Sequence, residues 1–191
     1  MDSIRTYLEK YIAIQDSDWN FFVSKLKEKV VAKKTNLLDF GQVENYISFI
    51  TKGAVRFLIP PKEEKGKEIT FGFCFENEFV SAYDSFLTRT PSKYKIETLT
   101  DVAMWSISYD DLQEVYVKTK IGNLLGRLSS ERLFLIKSKR EQSLLSDTAE
   151  ERYLNLFKER PNIIKEIPLK FIASYIGVTP QALSRIRKRI S

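Results

Sequence analysis

Apolar residues near the start of the chain recur at helical spacing. Ile4, Tyr7, Leu8 and Tyr11 mark one segment, and Trp19, Phe22, Val23 and Leu26 mark a second within the stretch from Asp16 to Val31, with Asp16 or Ser17 as its N-cap. From about Val31 the period shortens. The stretch TNLLDFGQVENYISFITKGAVRFLIPP mixes β-branched and aromatic residues with Gly41 and Gly53, which predicts short strands and tight turns. The polar PPKEEKGKEI reads as a hairpin loop, EITFGFCFENEFV resumes strand character, and YKIETLTDVAMWSIS reads as two strands around a turn at Thr100 and Asp101. Strands this short at regular intervals predict a compact antiparallel barrel or roll.

Helical spacing returns at Ser108, which with Asp111 resembles a capping-box start. Ile121, Leu124, Leu125, Leu128 and Leu135 then form a stripe along a long helix, with Ile121, Leu128 and Leu135 seven residues apart, as in a coiled-coil seam. Glu131 and Arg132 interrupt that seam. Two uses of the stripe stay open: packing on its own domain, or pairing with a second subunit. A further helix is expected over SDTAEERYLNLFKERP, with Asp147 as N-cap, Glu150 at the box position and Pro161 as its stop.

The end of the chain is the most sharply punctuated part. Pro168 suits the first turn of a helix, Gly177 suits a left-handed cap, Thr179 an N-cap, and Pro180 the first turn of a second helix. Ile172, Ile176, Val178, Leu183 and Ile186 would face inward, with the small Ala173 at the crossing. This is the organisation of a helix-turn-helix, whose second helix enters the DNA major groove. Thr179, Gln181, Ser184, Arg185 and Lys188 would lie outward or on the rim. Arginine can pair with guanine and glutamine with adenine, each through two hydrogen bonds. Lys170, Thr179, Arg187, Lys188 and Arg189 suit phosphates. The bland counterpart is an αα-corner with a basic solvent face.

Charge supports the DNA reading. The 191 residues carry a net +6, but residues 1–126 hold 17 Lys and Arg against 18 Asp and Glu, whereas residues 127–191 hold 14 against 7. The basic excess lies wholly in the C-terminal third, and such asymmetry favours a polyanion on that side. A composition 43% hydrophobic and 29% charged is that of a globular chain, and no long apolar run marks a signal peptide or membrane span. The absence of histidine removes Ser-His-Asp and Cys-His nucleophiles, His-held zinc and proximal-His haem. The single Cys74 can form neither an internal disulfide nor a cysteine cluster. No metal or cofactor is therefore expected, the chain is not expected to be an enzyme, and a reducing cytoplasm suits it.

A β-rich front, a long helix and a terminal helix-turn-helix together resemble the Crp/Fnr family of transcription regulators. NYISFITKGAVRFLI is similar to the family's roll, KEITFGFCFENEFVSAYDSFLTRTPSKYKIETLTD stands in place of its nucleotide-binding cassette, and ERYLNLFKERP with IPLKFIASYIGVTPQALSRIRKRI is similar to a branch common in Bacteroidetes. The resemblance implies an α+β fold in three parts: N-terminal helices and an antiparallel, jelly-roll, cyclic nucleotide-binding-domain-like sensor over 1–108, a connecting and dimerisation helix over 109–140, and a helix-turn-helix domain over 141–191. It implies a homodimer on a pseudo-palindromic operator in double-stranded DNA, with RNA polymerase as a candidate partner.

Carried over residue by residue, Arg185 falls on the family's base-reading arginine and Gln181 on an acidic base-reading position. The chain ends at Ser191 without the winged strands that often follow. The cassette's Gly-Glu-Leu stands here as Ser81-Ala82-Tyr83 and its Arg-Ser/Thr-Ala as Ser92-Lys93-Tyr94. An effector pocket lined by Phe79, Ser81, Tyr83, Ser92, Lys93 and Tyr94 would then lack the carboxylate for a ribose hydroxyl and the arginine for a buried cyclic phosphate. A small-molecule effector other than cAMP, or none, is the expectation. The competing readings are a ligand-binding or protein-interaction module whose helix-turn-helix is idle, and a cupin-like enzyme built on the same kind of roll.

Overall fold

The computed structural model describes residues 2–61, 66–161 and 163–190. Two short helices open the chain, α1 (Asp2–Leu8) and α2 (Asp16–Ser24). The residue before α2 is Gln15, so Asp16 and Ser17 lie inside the first turn, where acids favour the helix dipole, and neither is the N-cap. Helical structure does not continue to Val31. α2 closes with the Lys25 N–H donating to the Phe22 carbonyl and the Leu26 N–H to that of Val23, and β1 (Lys27–Val31) follows. Lys27 to Val30 take strand form because β8 (Val102–Ser108) supplies a full antiparallel partner, from Lys27 opposite Ser106 to Val31 opposite Val102. Tertiary pairing overrides the local helical preference of Lys and Glu.

The roll is two four-stranded sheets. One runs β1-β8-β3-β6 and contains β3 (Tyr46–Lys52) and β6 (Phe79–Val80). The other runs β2-β7-β4-β5 and contains β2 (Asn36–Leu38), β4 (Val55–Ile59), β5 (Ile69–Cys74) and β7 (Lys95–Thr98). All the pairings are antiparallel. β4 and β5 form the expected hairpin, although residues 62–65 of its loop lie outside the described residues. The inner faces close on Leu38, Ile50, Val55, Val80, Ala82, Ile96, Val102 and Met104. Gly53 sits at φ +95° between β3 and β4, where a side chain would strike the Asp101 carbonyl. A short helix that the strand pattern hid, α3 (Tyr83–Thr88), follows β6 and covers that end of the roll with Phe86.

Ser108 caps α4 (Tyr109–Lys118) as expected, its hydroxyl accepting from the Asp111 N–H at 3.2 Å. The long helical stretch is then broken. Thr119 is extended, the Lys120 N–H is taken by Asp18 at 3.1 Å, and α5 (Gly122–Ser146) starts afresh. Gly122 allows this corner: a Cβ there would stand 2.4 Å from the Val115 carbonyl oxygen. Ile121, beside it, is 6% exposed and joins Ile4, Trp19, Phe22, Phe49 and Leu112 in a second core.

Asp147, expected to start α6 (Ala149–Glu159), instead ends α5, where the Ser143 hydroxyl donates to its carboxylate. The capping box falls one residue on, with Thr148 and Glu151 satisfying each other's backbone N–H groups. After the short α7 (Ile163–Glu166) come α8 (Leu169–Ile176) and α9 (Pro180–Ile190), packed in a third core that also takes in Ala54 and Leu99 of the roll. Gly122→Ala should drive its methyl into the α4 backbone and cost about 1–3 kcal/mol. A lower midpoint in urea unfolding with an unchanged slope is the expected result.

Candidate nucleic-acid interface and roll cavity

The α8–α9 corner is built as its residues dictate. Gly177 takes φ +80° and its N–H reaches back to the Ser174 carbonyl, closing α8. The Val178 N–H also bonds Ala173, and the Thr179 hydroxyl accepts from the Ala182 N–H at 3.2 Å, opening α9. Ile172, Ala173, Ile176, Leu183 and Ile186 are buried together, with Val178 packed beside them. That inward set leaves Gln181, Ser184, Arg185 and Lys188 exposed at i, i+3, i+4 and i+7, which is one face of a helix. Thr179 and Lys170 are exposed near that face, and Arg187 is half-buried. Arg189 is exposed but pairs with Glu150 of α6.

Three arginines that sequence reasoning passed over hold this corner in place. Arg152 donates from Nε to the Ile176 carbonyl at 2.8 Å and from Nη1 to the Asp147 carbonyl, tying the end of α8 to the start of α6. Arg140 of α5 donates to the Tyr175 carbonyl at 2.8 Å with its guanidinium 3.8 Å from the Tyr175 ring centroid. Both cations sit at the C-terminal end of α8, where the helix dipole favours them. Arg56, on β4 and only 4% exposed, pairs with Glu97 at 2.6 Å and Glu68 at 2.8 Å, and lies 3.9 Å from the ring centroid of Phe171 on α8. The Thr70 N–H donates to the Ser174 hydroxyl at 2.8 Å, and Phe73 meets Tyr175. The first helix of the corner is thereby docked on the outer side of β5. No sequence signal short of the three-dimensional pairing would single out these residues.

The six cassette residues are each placed by contacts of their own. Phe79 packs edge-on with Tyr7 and Phe49, the Ser81 hydroxyl donates to the Tyr46 carbonyl, and Tyr83 meets the Ser130 hydroxyl of α5 at 3.1 Å. Ser92 is buried and donates to the Tyr94 carbonyl, while Lys93 is exposed. The Tyr94 hydroxyl donates to Asp84, and its ring fills the space beside Phe57 and Phe71. Burial and that carboxylate push the Tyr94 hydroxyl far above its ordinary pKa, so it stays protonated. A cavity of about 240 Å³ opens instead among Lys29, Val31, Thr35, Asn36, Leu37, Glu44, Tyr46, Ser48, Val80, Ile96 and Met104.

Of the stripe along α5, Ile121 is spent in the chain's own core, and Leu124, Leu125 and Leu128 pack against it. Leu135 is 67% exposed and the neighbouring Phe134 69%. Burial pushes the Cys74 thiol up to about 12, which leaves no reactive thiolate. Among the described residues, no group of three His, Cys, Asp or Glu is placed to hold a metal, and no helix is long and apolar enough to cross a membrane.

Residues 28–119 match the cyclic nucleotide-binding domain family. Across nearly its whole length the chain is similar in structure to Crp/Fnr-type regulators. FixK2 from Bradyrhizobium japonicum aligns with a TM-score of 0.71 at 15% identity, over 86% of this chain and 84% of that one. The c-di-GMP responsive global regulator CLP of Xanthomonas campestris aligns with a TM-score of 0.67 at 15% identity, over 92% and 91%. A putative Crp/Fnr transcriptional regulator from Eubacterium rectale aligns with a TM-score of 0.66 at 16% identity, over 97% and 87%. A search of curated proteins finds no match. The chain is a cyclic nucleotide-binding-like β-roll joined by a long helix to C-terminal helices in the Crp/Fnr helix-turn-helix arrangement.

Arg56→Met should leave Glu97 facing a desolvated methionine and remove the cation under Phe171. A loss of about 3 kcal/mol in chemical unfolding is expected, together with faster amide hydrogen exchange in α8.

Proposed function

We propose that this chain is a sequence-specific, DNA-binding transcription regulator of Crp/Fnr type that acts as a cytoplasmic homodimer. The observation that carries this reading is the face of α9. Gln181, Ser184, Arg185 and Lys188 point outward together from the second helix of a helix-turn-helix whose inner face is wholly apolar. A solvated basic helix needs no such order, whereas a helix lying in the major groove needs base-reading groups on that side and phosphate-binding groups at its rim. Arg185 and Gln181 read bases. Lys170, Thr179, Arg187 and Lys188 take the backbone, and Arg189 joins them when it leaves Glu150.

Two copies would pair along α5. Phe134 and Leu135 leave apolar surface on that helix, and pairing there places two α9 helices for half-sites about 34 Å apart. The roll's sensor role differs from cAMP binding. Ala82 and Ser92 stand where a ribose carboxylate and a phosphate arginine are needed, and Tyr94, Phe57 and Phe71 pack together beside them.

On a footprinted operator, Arg185→Ala should weaken binding by about 1–3 kcal/mol and relax preference at one base pair. Lys188→Ala should weaken all duplexes alike and reduce the salt slope by about one. Unchanged affinity in both variants would remove the DNA assignment. In light scattering, Leu135→Glu should shift a dimer toward monomer, because it buries an unpaired carboxylate at the seam. Affinity for a two-half-site operator should fall with it.

A further inference from the structure

The cavity between the edges of β1 and β2 presents two opposite charges that do not meet. Lys29 makes no ion pair among the described residues; its ammonium lies 3.5 Å from the Tyr46 ring centroid and is partly withdrawn from water. Glu44, on the same wall, is 7% exposed. Its Oε1 accepts the Tyr46 N–H at 3.0 Å and its Oε2 the Ala82 N–H at 3.2 Å, with the Asn45 N–H also turned toward the carboxylate; four lone-pair sites leave room for one further donor. Burial lowers the Lys29 pKa and raises that of Glu44, and each attracts the charged form of the other only at longer range. Val31, Leu37, Val80, Ile96 and Met104 form an apolar floor between them.

We infer that this cavity is a binding site for a small aliphatic zwitterion, a free α-amino acid of the leucine kind. The carboxylate of such a ligand would take Lys29, its ammonium would take the open lone pairs of Glu44, and its side chain would lie on the Val31, Leu37 and Ile96 floor. Both protein charges would gain an opposite charge in direct contact, which a neutral or singly charged ligand cannot supply to both. At about 240 Å³ the space lies below the ~300 Å³ at which pockets for drug-sized ligands begin. None of Phe79, Ser81, Tyr83, Ser92, Lys93 and Tyr94 lines it, and the cassette stretch contributes only the apolar Val80 and Ile96.

Glu44 connects the cavity to the long helix. Its carboxylate holds the Ala82 N–H, and the next residue, Tyr83, meets Ser130 on α5. An influence of the ligand on DNA rests on the proposed regulator function, but binding itself does not, and it is measured on the protein alone.

The test is calorimetric titration of the full chain with L-leucine, with isocaproate, which lacks the ammonium, and with isoamylamine, which lacks the carboxylate. Leucine should bind, and each analogue should bind at least about tenfold more weakly, as expected for loss of one charge-assisted contact. Lys29→Gln should weaken leucine binding to a similar extent. Val31→Phe, which fills the cavity with an apolar ring, should abolish it while cooperative thermal unfolding is kept. Absence of leucine binding to the wild-type chain would overturn the inference. So would analogues that bind as well as leucine, or leucine binding that survives in both folded variants. Any of these three failures leaves the operator measurements on Arg185 and Lys188 untouched.

Discussion

Burying a guanidinium is the constraint on which the arrangement of the two halves turns. Arg56 carries a full charge on a strand whose neighbours Val55 and Leu58 are core residues, so it must be neutralised on every side that water cannot reach. Glu97 from β7 and Glu68 ahead of β5 supply the charge, Thr70 a hydroxyl, and Phe171 of α8 the aromatic lid. Three of these partners belong to the roll and one to the α8–α9 corner. The roll thus offers α8 a prepared surface, and the helix completes the solvation of the cation. Around that point Ser174 receives the Thr70 N–H, Tyr175 stacks between Phe73 and Arg140, and Arg160 joins Glu78 above Phe75.

This docking uses one face of α8 and leaves α9 outward. The helix that would read bases is attached to the rest of the molecule through its apolar underside and through Arg189, while its polar face stays clear. Besides α9, the elements β4, β5, α5 and α6 touch α8. Each of them meets α8 through an aromatic ring or a helix-end carbonyl bound by arginine. Contacts of that kind are directional, so they fix one orientation of α8 against the roll.

Much of the architecture was legible along the chain because it depends on neighbours in sequence. Gly177, Thr179 and Pro180 punctuate the corner by backbone geometry alone, and the period of Ile172, Ile176, Leu183 and Ile186 sets which face is buried. Ser108 announces α4 for the same reason. The errors fall where long-range partners decide. Lys27 to Val31 became an edge strand because β8 was available, α5 began at Gly122 because that glycine alone tolerates the α4 backbone, and the α6 cap moved from Asp147 to Thr148 because Asp147 was already ending α5.

The sequence by itself determined the local grammar: most helices and strands, the caps of α4 and of the α8–α9 corner, the exposed order of Gln181, Ser184, Arg185 and Lys188, and the charge of the C-terminal third. These follow from backbone preferences and periodicity, which act over a few residues. Only the tertiary structure decided that Arg56, Arg140 and Arg152 would secure α8, that Tyr94 would pack with Phe57 and Phe71, and that a cavity would have both Lys29 and Glu44 in its wall. Burial, charge pairing and cavities arise where distant segments meet, and no spacing along the chain records which segments those are.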